Sequence, residues 1–316
     1  ALSRISAGQD PDSILLITYG RERASELRDA IALRTTVTMH EPLARTFHSL
    51  AYSILKMNSG DSYHEPILLS GPEQENFIEQ LLQGDVEDGY RQWPDDLHDG
   101  EDKKGNPLLT QGFIRELRDL IMRANERGIS PDELAQRGKT VGEKYWAPAA
   151  DFWQRYKQVM AIREDAAGDA KMRIDPSELI SVTIAHLLAN EDLRAQLQAR
   201  FKTIMVDEYQ ESDPAQRELL ALLAGKDVII CADADSAVGR FRGADPDGLS
   251  AALDPYRAKE VVLGHVYRNA KAIFEVGHKY VQKFPGSPVT RKRSAAIENQ
   301  GLSEFIALEA GQKRQP

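Results

Sequence analysis

The stretch TIMVDEYQESDPAQ, residues 203–216, contains the residues whose types and spacing best suit chemistry. Three apolar residues, from Ile204 to Val206, run directly into two acids, Asp207 and Glu208. A buried strand that ends in adjacent carboxylates is typical of a metal site in the loop at its carboxyl end. The bare string is equally compatible with a solvated loop after a strand, so its surroundings have to decide.

In the functional interpretation, Asp207 and Glu208 form a Walker B pair. Asp207 would hold Mg²⁺, and Glu208 would orient the water that attacks a γ-phosphate. Such a pair needs a phosphate-binding loop with the pattern G-x-x-x-x-G-K-[ST]. The nearest string, RGKT at 137–140, has Glu133 where the first glycine belongs, and it follows a predicted helix instead of a strand. We interpret it as a chance match, and these 316 residues contain no such loop.

Composition limits the class of protein without choosing one. A chain of 316 residues can bury a sizeable core, and two domains are favoured over one. Cys231 is its one cysteine, which excludes a disulfide framework. With no secretory signal and no apolar run near the roughly 20 residues of a membrane span, we expect a cytoplasmic protein that does not enter membranes. The net charge of −9 argues only weakly against nucleic acid, because charge along a groove matters more than the sum.

Strand-like runs occur near both ends of the chain and are missing between them. DSILLITYG (12–20) precedes a helical pattern, and three later runs also predict strands: TIMVDE, DVIICAD and EVVLGH (260–265). From about Asn58 to Ile174, helices alternate with polar loops. The clearest helix there is QGFIRELRDLIMRANERG (111–128), with a wide apolar stripe and Gly128 as its stop.

This alternation predicts a parallel α/β domain with a helical domain inserted into it. Ligands of such sheets bind at the carboxyl ends of the strands. Four motif-like turns are predicted at those ends: after Ile17, near Thr46, after Val206 and after Ile230. Their convergence supports a site more strongly than any one motif does.

Five motifs in fixed order resemble those of the superfamily 1A DNA helicases, the UvrD, Rep and PcrA group: TYGRERASELR, RTFHSLA, VDEYQESDPAQ, CADADSAVGRFRGAD and LGHVYRN. LLSGPEQENFIEQLL and ELRDLIMRANERG further resemble helicase subunits of actinobacterial Adn-type helicase–nucleases. The resemblance implies a RecA-like motor domain 1A at 1–57 and 173–255. It also implies a largely α-helical inserted domain 1B at 58–172 and the truncated start of a second RecA-like domain, 2A, at 256–316. The family's phosphate-binding (Walker A) loop is expected just upstream of residue 1.

The resemblance also implies a role for each motif residue. ATP and Mg²⁺ are the implied cofactors. On the nucleotide side stand Asp207 as metal ligand, Glu208 and Gln210 as catalytic residues, Tyr267 stacked on adenine, Arg268 as arginine finger, and Asp233 and Ser236 near the nucleotide. Single-stranded DNA would be contacted by Thr18, Tyr19, Thr46, His48, Phe241 and Arg242. Taken alone, His48 would more often be an interior histidine with its hydrogen bonds satisfied, and Phe241 would be a core residue.

The motif around Ser236 departs from the family pattern G-D-x-x-Q-S-x-Y. Alignment back from FRGAD places Ala232 at the glycine, Ser236 at the glutamine and Gly239 at the tyrosine. In the family, the glutamine links the γ-phosphate to the DNA-stacking aromatic residue, and serine is too short to span that gap. A weakened second motor in a two-motor complex would fit this change.

The sequence therefore predicts part of an ATP-dependent 3′–5′ DNA helicase or translocase of DNA repair or recombination. It would act on single-stranded DNA and duplex junctions, and a second helicase–nuclease subunit is an expected partner. The alternative is a noncatalytic DNA-binding and subunit-contact module whose motor has decayed.

We expect this chain by itself not to hydrolyse ATP. The backbone amides and lysine of a phosphate-binding loop normally hold the β- and γ-phosphates, and Asp207 cannot place a nucleotide without them. Phosphate release with Mg²⁺ and single-stranded DNA should stay at background. Turnover that Glu208→Gln abolishes would contradict this expectation.

Overall fold

The computed structural model describes residues 1–37, 39, 41–57, 66–97, 106–167, 173–283 and 294–297, with the backbone alone at 164–167, 241–242, 250 and 294–297. The chain divides into two compact units. The larger comprises residues 1–232 and 238–246, and the smaller comprises residues 233–237 and 247–316.

The strands are β1 (Ile14–Ile17), β2 (Ala44–Arg45), β3 (Ile67–Leu68), β4 (Arg173–Ile174), β5 (Thr203–Val206), β6 (Val228–Ile230), β7 (His265–Ala270) and β8 (Ser294–Ile297). The α-helices are α1 (Leu2–Ser6), α2 (Arg21–Ala32), α3 (Phe47–Met57), α4 (Gly71–Glu87), α5 (Gln111–Glu126), α6 (Pro131–Val141), α7 (Trp146–Ala167), α8 (Leu179–Ala189), α9 (Glu191–Arg200), α10 (Pro214–Leu223), α11 (Leu249–Leu253) and α12 (Lys271–Val281).

A four-stranded parallel sheet with the order β2-β1-β5-β6 forms the centre of the larger unit. The two middle strands are nearly continuous apolar runs, because helices cover both faces of a sheet built by crossover connections. Ile14, Ile17, Ile204 and Val206 are each at most 2% exposed. This sheet confirms the predicted parallel α/β fold.

Helix α8 packs against both α3 and α10, and the three helices contribute much of the core of the larger unit. Helix α3 buries one apolar face through Phe47, Leu50, Ala51, Ile54 and Leu55. The first turn of α3 directly follows β2 through Thr46, so this packing also fixes the turn at the end of that strand.

A second apolar core lies among α4, α5, α6 and α7. The predicted stripe of α5 is buried at Ile114, Leu117, Ile121 and Ala124, and Gly128 follows the helix at a φ of 65°. The helices of this region are therefore as predicted, but the prediction that it contains no strand was wrong, because β3 lies within it and pairs in parallel with β4. The two boundaries proposed for the insert fall at residues 58–65 and 168–172, outside the described residues, and stay predictions.

The smaller unit contains α11, β7, α12 and β8, with β7 and β8 paired in parallel. The prediction of a strand at EVVLGH was wrong, because residues 260–264 have no regular structure and β7 begins at His265. Val261 and Leu263 are 71% and 80% exposed. The position of β7 is set by its pairing with β8, which begins at His265 and Ser294, and not by the apolar run alone.

The RGKT string lies inside α6, where Gly138 is a packing residue. A Cβ added at Gly138 would lie 2.7 Å from Trp146 Cβ and 3.2 Å from the Glu143 carbonyl oxygen. The glycine therefore lets α6 approach the start of α7.

We predict that Gly138→Ala lowers the free energy of unfolding by about 1–3 kcal/mol, because the added methyl overpacks this contact. The matched control is Gly84→Ala in α4, where an added Cβ meets nothing within 4 Å. That change should raise stability by about 0.5–1 kcal/mol through helix propensity. Urea unfolding of both variants measures the difference, and equal effects would show that the α6–α7 contact has room.

Candidate nucleotide and DNA-binding edge

The four predicted turns meet at one edge of the larger unit's sheet. Ile17 lies level with Val206 in the register of β1 and β5, and Val206 lies level with Ile230 in that of β5 and β6. Backbone hydrogen bonds continue the ladder beyond the strands. Asp207 N–H donates to the Ile17 carbonyl at 2.8 Å, and Cys231 N–H donates to the Val206 carbonyl at 2.8 Å. The carboxyl ends of the strands therefore bring the motif residues together, as the sequence predicts.

Asp207 is the first residue past β5, and its side chain is 32% exposed. Its Oδ2 lies 3.5 Å from Arg23 Nε, at the start of α2. Among the described residues, no group of three or more His, Cys, Asp or Glu side chains could hold a metal ion. The adjacent carboxylates of Asp207 and Glu208 fit Mg²⁺ bound through one or two carboxylates, since that ion takes its other ligands from water and substrate phosphates.

Glu208 has a left-handed backbone, with φ 55° and ψ 41°. Few residues other than glycine adopt this region, and doing so costs about 1–3 kcal/mol. Its carboxylate accepts a hydrogen bond from Gln210 Nε2 at 2.5 Å, and Gln210 is 1% exposed. The structure thus brings an exposed acid and a buried amide, both predicted catalytic residues, into direct contact.

The predicted DNA-contacting residues of the larger unit differ in exposure. Thr18 and Thr46 are 1% and 8% exposed. Thr46 Oγ1 accepts the Ser49 N–H at 3.2 Å, whereas Thr18 Oγ1 is buried with no hydrogen-bond partner among the described residues. Tyr19 and His48 are partly exposed. These residues share one edge of the sheet, and their contact with DNA stays a prediction.

Burial lowers the pKa of His48, and the Arg21 charge lowers it further. The imidazole is therefore neutral near pH 7 and can donate or accept a hydrogen bond without adding positive charge. Phe241 and Arg242 lie on a 3₁₀ helix, Gly239–Arg242, and their side chains are outside the described residues.

The remaining predicted nucleotide residues belong to the smaller unit. Tyr267 is 71% exposed and neighbours Arg268 on β7. Asp233 accepts the Asp235 N–H at 3.2 Å, and Ser236 Oγ donates to the Asp233 carbonyl at 2.9 Å. Their roles toward a nucleotide stay predictions.

Sequence reasoning missed a buried charged cluster directly after the acidic loop. Glu211, Asp213 and Arg217 are 7%, 4% and 9% exposed. A signal was available: Asp213 precedes Pro214, an arrangement typical of a helix N-cap and first position, and Arg217 follows among the apolar positions of α10.

The parallel sheet has adjacent acidic side chains at the carboxyl ends of its strands. It is therefore typical of the α/β proteins that bind ligands at this edge. Residues 2–257 match the family model described as the UvrD/REP helicase N-terminal domain. The chain belongs to this family. The predicted resemblance to the UvrD, Rep and PcrA group is therefore confirmed, and the resemblance to Adn-type subunits stays a prediction.

Several relatives align along most of the chain. It is 23% identical over 303 residues to DNA helicase II of Escherichia coli (strain K12), covering 94% of this chain and 38% of that protein. It is 26% identical to the ATP-dependent DNA helicase PcrA of Leuconostoc citreum, covering 86% and 33%. It is 20% identical to the ATP-dependent DNA helicase Rep of Buchnera aphidicola subsp. Acyrthosiphon pisum (strain APS), covering 86% and 38%. The chain thus spans 33–38% of the length of these relatives.

A further finding concerns membranes. Within the described part of the chain, no helix combines the length and the apolar character that a membrane crossing requires.

Asp213 caps α10, and its carboxylate accepts the Gln216 N–H at 2.7 Å. Burial raises the pKa of Asp213 from 3.8 to about 7, although the hydrogen bonds from Gln216 and Ala215 and the Arg217 charge act in the opposite direction. With a folded pKa above the unfolded one, the protonated form is favoured in the native state. This contribution to stability is complete below about pH 4 and is lost as the pH rises to about 7.

We predict that Asp213→Asn reduces this pH dependence, because asparagine keeps an oxygen that can cap the helix and has no charge to bury. From pH 5 to pH 8 the wild type should lose on the order of 2 kcal/mol relative to Asp213→Asn. Urea unfolding at both pH values measures the change. Asp213→Ala is the control and should be less stable than Asp213→Asn at each pH. Parallel profiles for wild type and Asp213→Asn would mean that Asp213 is ionised throughout.

Proposed function

We propose that this chain is part of an ATP-dependent DNA helicase or translocase that moves 3′ to 5′ on single-stranded DNA during repair or recombination. The observation that carries the proposal is the shared sheet edge. It places Asp207 and the Glu208–Gln210 pair beside the turns at Thr18 and Thr46, in a chain of the UvrD/REP helicase family.

Residues 1–57 and 173–255 would form the first motor domain, 58–172 the inserted helical domain, and 256–316 the start of the second motor domain. ATP and Mg²⁺ are the proposed cofactors. Asp207 would hold the metal ion, which supplies electrostatic stabilisation of the charge on the transferred phosphoryl group.

The chain's own residues would do the remaining work. Glu208 would orient the attacking water and accept its proton, and the hydrogen bond from Gln210 would hold the Glu208 carboxylate in place. Arg268 would stabilise negative charge in the transition state, and Tyr267 would stack on the adenine.

On the DNA side, Tyr19 and Phe241 would stack on bases, and Thr18, Thr46, His48 and Arg242 would contact the backbone. Aromatic stacking and phosphate contacts carry little sequence information, which suits an enzyme that moves along DNA. The proposed partners are single-stranded DNA, duplex junctions and a second subunit of a helicase–nuclease complex.

A noncatalytic DNA-binding and subunit-contact module is the second candidate. The specific observation in its favour is the motif departure, with Ser236 and Gly239 where the family pattern has glutamine and tyrosine. Such a module would bind single-stranded DNA without hydrolysing ATP.

The decisive measurement is ATP turnover by the full-length protein that contains this chain, with and without single-stranded DNA. We predict that Glu208→Gln lowers kcat by about 100-fold or more, because glutamine cannot accept a proton from water. Glu218→Gln, at an exposed position on α10, is the matched control and should leave kcat unchanged. DNA binding without turnover would favour the noncatalytic candidate. Equal kcat for Glu208→Gln and wild type would remove Glu208 from the mechanism.

A further inference from the structure

The segment 238–246 carries Phe241 and Arg242, and its backbone is held near one end by the loop after β5 and near the other by α10. Val238 N–H donates to Glu211 Oε1 at 2.7 Å. At the other end, Arg217 Nη2 donates to the Asp245 carbonyl at 2.7 Å. All of these residues belong to the larger unit. The acidic loop and the predicted DNA-binding segment are therefore bonded directly to each other.

Arg217 makes several contacts that fix its side chain. Nε donates to Ser212 Oγ at 3.0 Å, Nη1 lies 3.6 Å from Asp245 Oδ2, and the guanidinium lies 5.4 Å from the Tyr209 ring centroid. A buried guanidinium is stable only when its donors are satisfied, so removing these partners is strongly unfavourable. The arrangement therefore favours one position of the segment relative to the loop.

Two glycines allow the segment to approach this closely. Gly239 is buried against Glu211, and a Cβ at this position would overlap Glu211 Oε2. Gly243 has a φ of 92°, and a Cβ there would lie 3.2 Å from Glu126 Oε2 and 3.7 Å from Asp213 Cβ. Position 239 needs glycine for space, and position 243 needs glycine for its backbone conformation.

We propose that Glu211 and Arg217 are positioning residues that couple the nucleotide-binding loop to the DNA-binding segment. This inference rests on the proposed function. Glu211 directly follows Gln210, which donates to Glu208, and all three lie within or beside one 3₁₀ turn, Tyr209–Glu211. A shift of Glu208 and Gln210 on nucleotide binding therefore moves the acceptor of the Val238 N–H.

This link takes over part of the role that the resemblance gives to a glutamine at position 236. It runs through a side chain of the loop, a side chain of α10 and the backbone of the segment. It therefore does not depend on the length of the Ser236 side chain.

The test compares variants of the full-length protein by the ratio of ATP turnover with and without single-stranded DNA. We expect the wild type to be stimulated by at least about fivefold, the lower end of ordinary coupling between two sites. Glu211→Ala and Arg217→Met should bring the ratio near one, while the DNA-free kcat and the KM for ATP stay within about twofold of wild type. Glu211→Gln keeps an oxygen acceptor for Val238 N–H and should restore most of the stimulation. Arg194→Met, on α9, is the matched control for loss of an arginine.

Backbone hydrogen exchange of residues 238–246, measured without nucleotide or DNA, gives an independent readout. Val238 N–H, which donates to Glu211, should exchange faster in Glu211→Ala than in wild type, and slowly again in Glu211→Gln. The same measurement identifies a variant that fails to fold, because protection would then fall in β1 and β5 as well. If a variant fails to fold, Asp245→Asn replaces it; this change weakens the Arg217–Asp245 ion pair, leaves the backbone hydrogen bonds in place, and should lower the stimulation ratio.

Each outcome has one meaning. An unchanged ratio in folded Glu211→Ala and Arg217→Met overturns the coupling, and so does a wild type that turns over ATP without stimulation by DNA. A wild type without any ATP turnover contradicts the proposed function instead. Unchanged exchange at Val238 in Glu211→Ala would show that the link itself is absent, whatever the activity.

Discussion

The register between β1 and β5 is the constraint on which the rest of the site depends. These strands lie far apart in sequence, yet their last residues, Ile17 and Val206, are level. Both strands are buried, so a register slip of one residue would turn each buried side chain to the opposite face of the sheet. The hydrogen bond from Asp207 N–H to the Ile17 carbonyl extends this register by one residue into the acidic loop. Hydrophobic burial thus sets where the candidate site begins.

Beyond the strand end, the chain stops following the sheet and adopts conformations that cost free energy. Glu208 takes a left-handed backbone, and the next residues form a 3₁₀ turn instead of an α-helix. Tyr209 N–H still donates to the Cys231 carbonyl at 3.0 Å, so the turn remains bonded to the end of β6. A tight turn held on both sides can keep an exposed acid in one place, which a flexible loop cannot.

The buried charges after this turn are a different kind of constraint. Glu211, Asp213 and Arg217 lose their hydration on folding, and their hydrogen bonds to Val238, Gln216, Ser212 and Asp245 offset that cost only in one geometry. Apolar side chains of similar size could fill the same space, but they would not favour a single position of residues 238–246. The cluster is therefore better understood as fixing the position of residues 238–246 than as a source of net stability.

Local patterns in the sequence determined much of the fold. Apolar runs that end in polar turns predicted β1, β5 and β6, and the 3.6-residue period of α5 predicted its buried face, because both signals depend on neighbours along the chain. The five ordered motifs likewise predicted the family. The start of β7 was missed, because the exposed apolar residues Val261 and Leu263 resemble a strand that has no partner there.

Only the tertiary structure decided which side chains meet. That Thr18 is almost fully buried, or that Gln210 bonds to Glu208, depends on packing between segments that no local pattern reports. The link from Glu211 to Val238 joins residues 27 positions apart through a side chain and a backbone amide. Glutamate at 211 is equally suited to an exposed loop, and it becomes a buried acceptor because Gly239 leaves room for it. The sequence by itself therefore determined the elements and the family, whereas their packing decided the contacts, because burial and hydrogen bonding depend on distance in space.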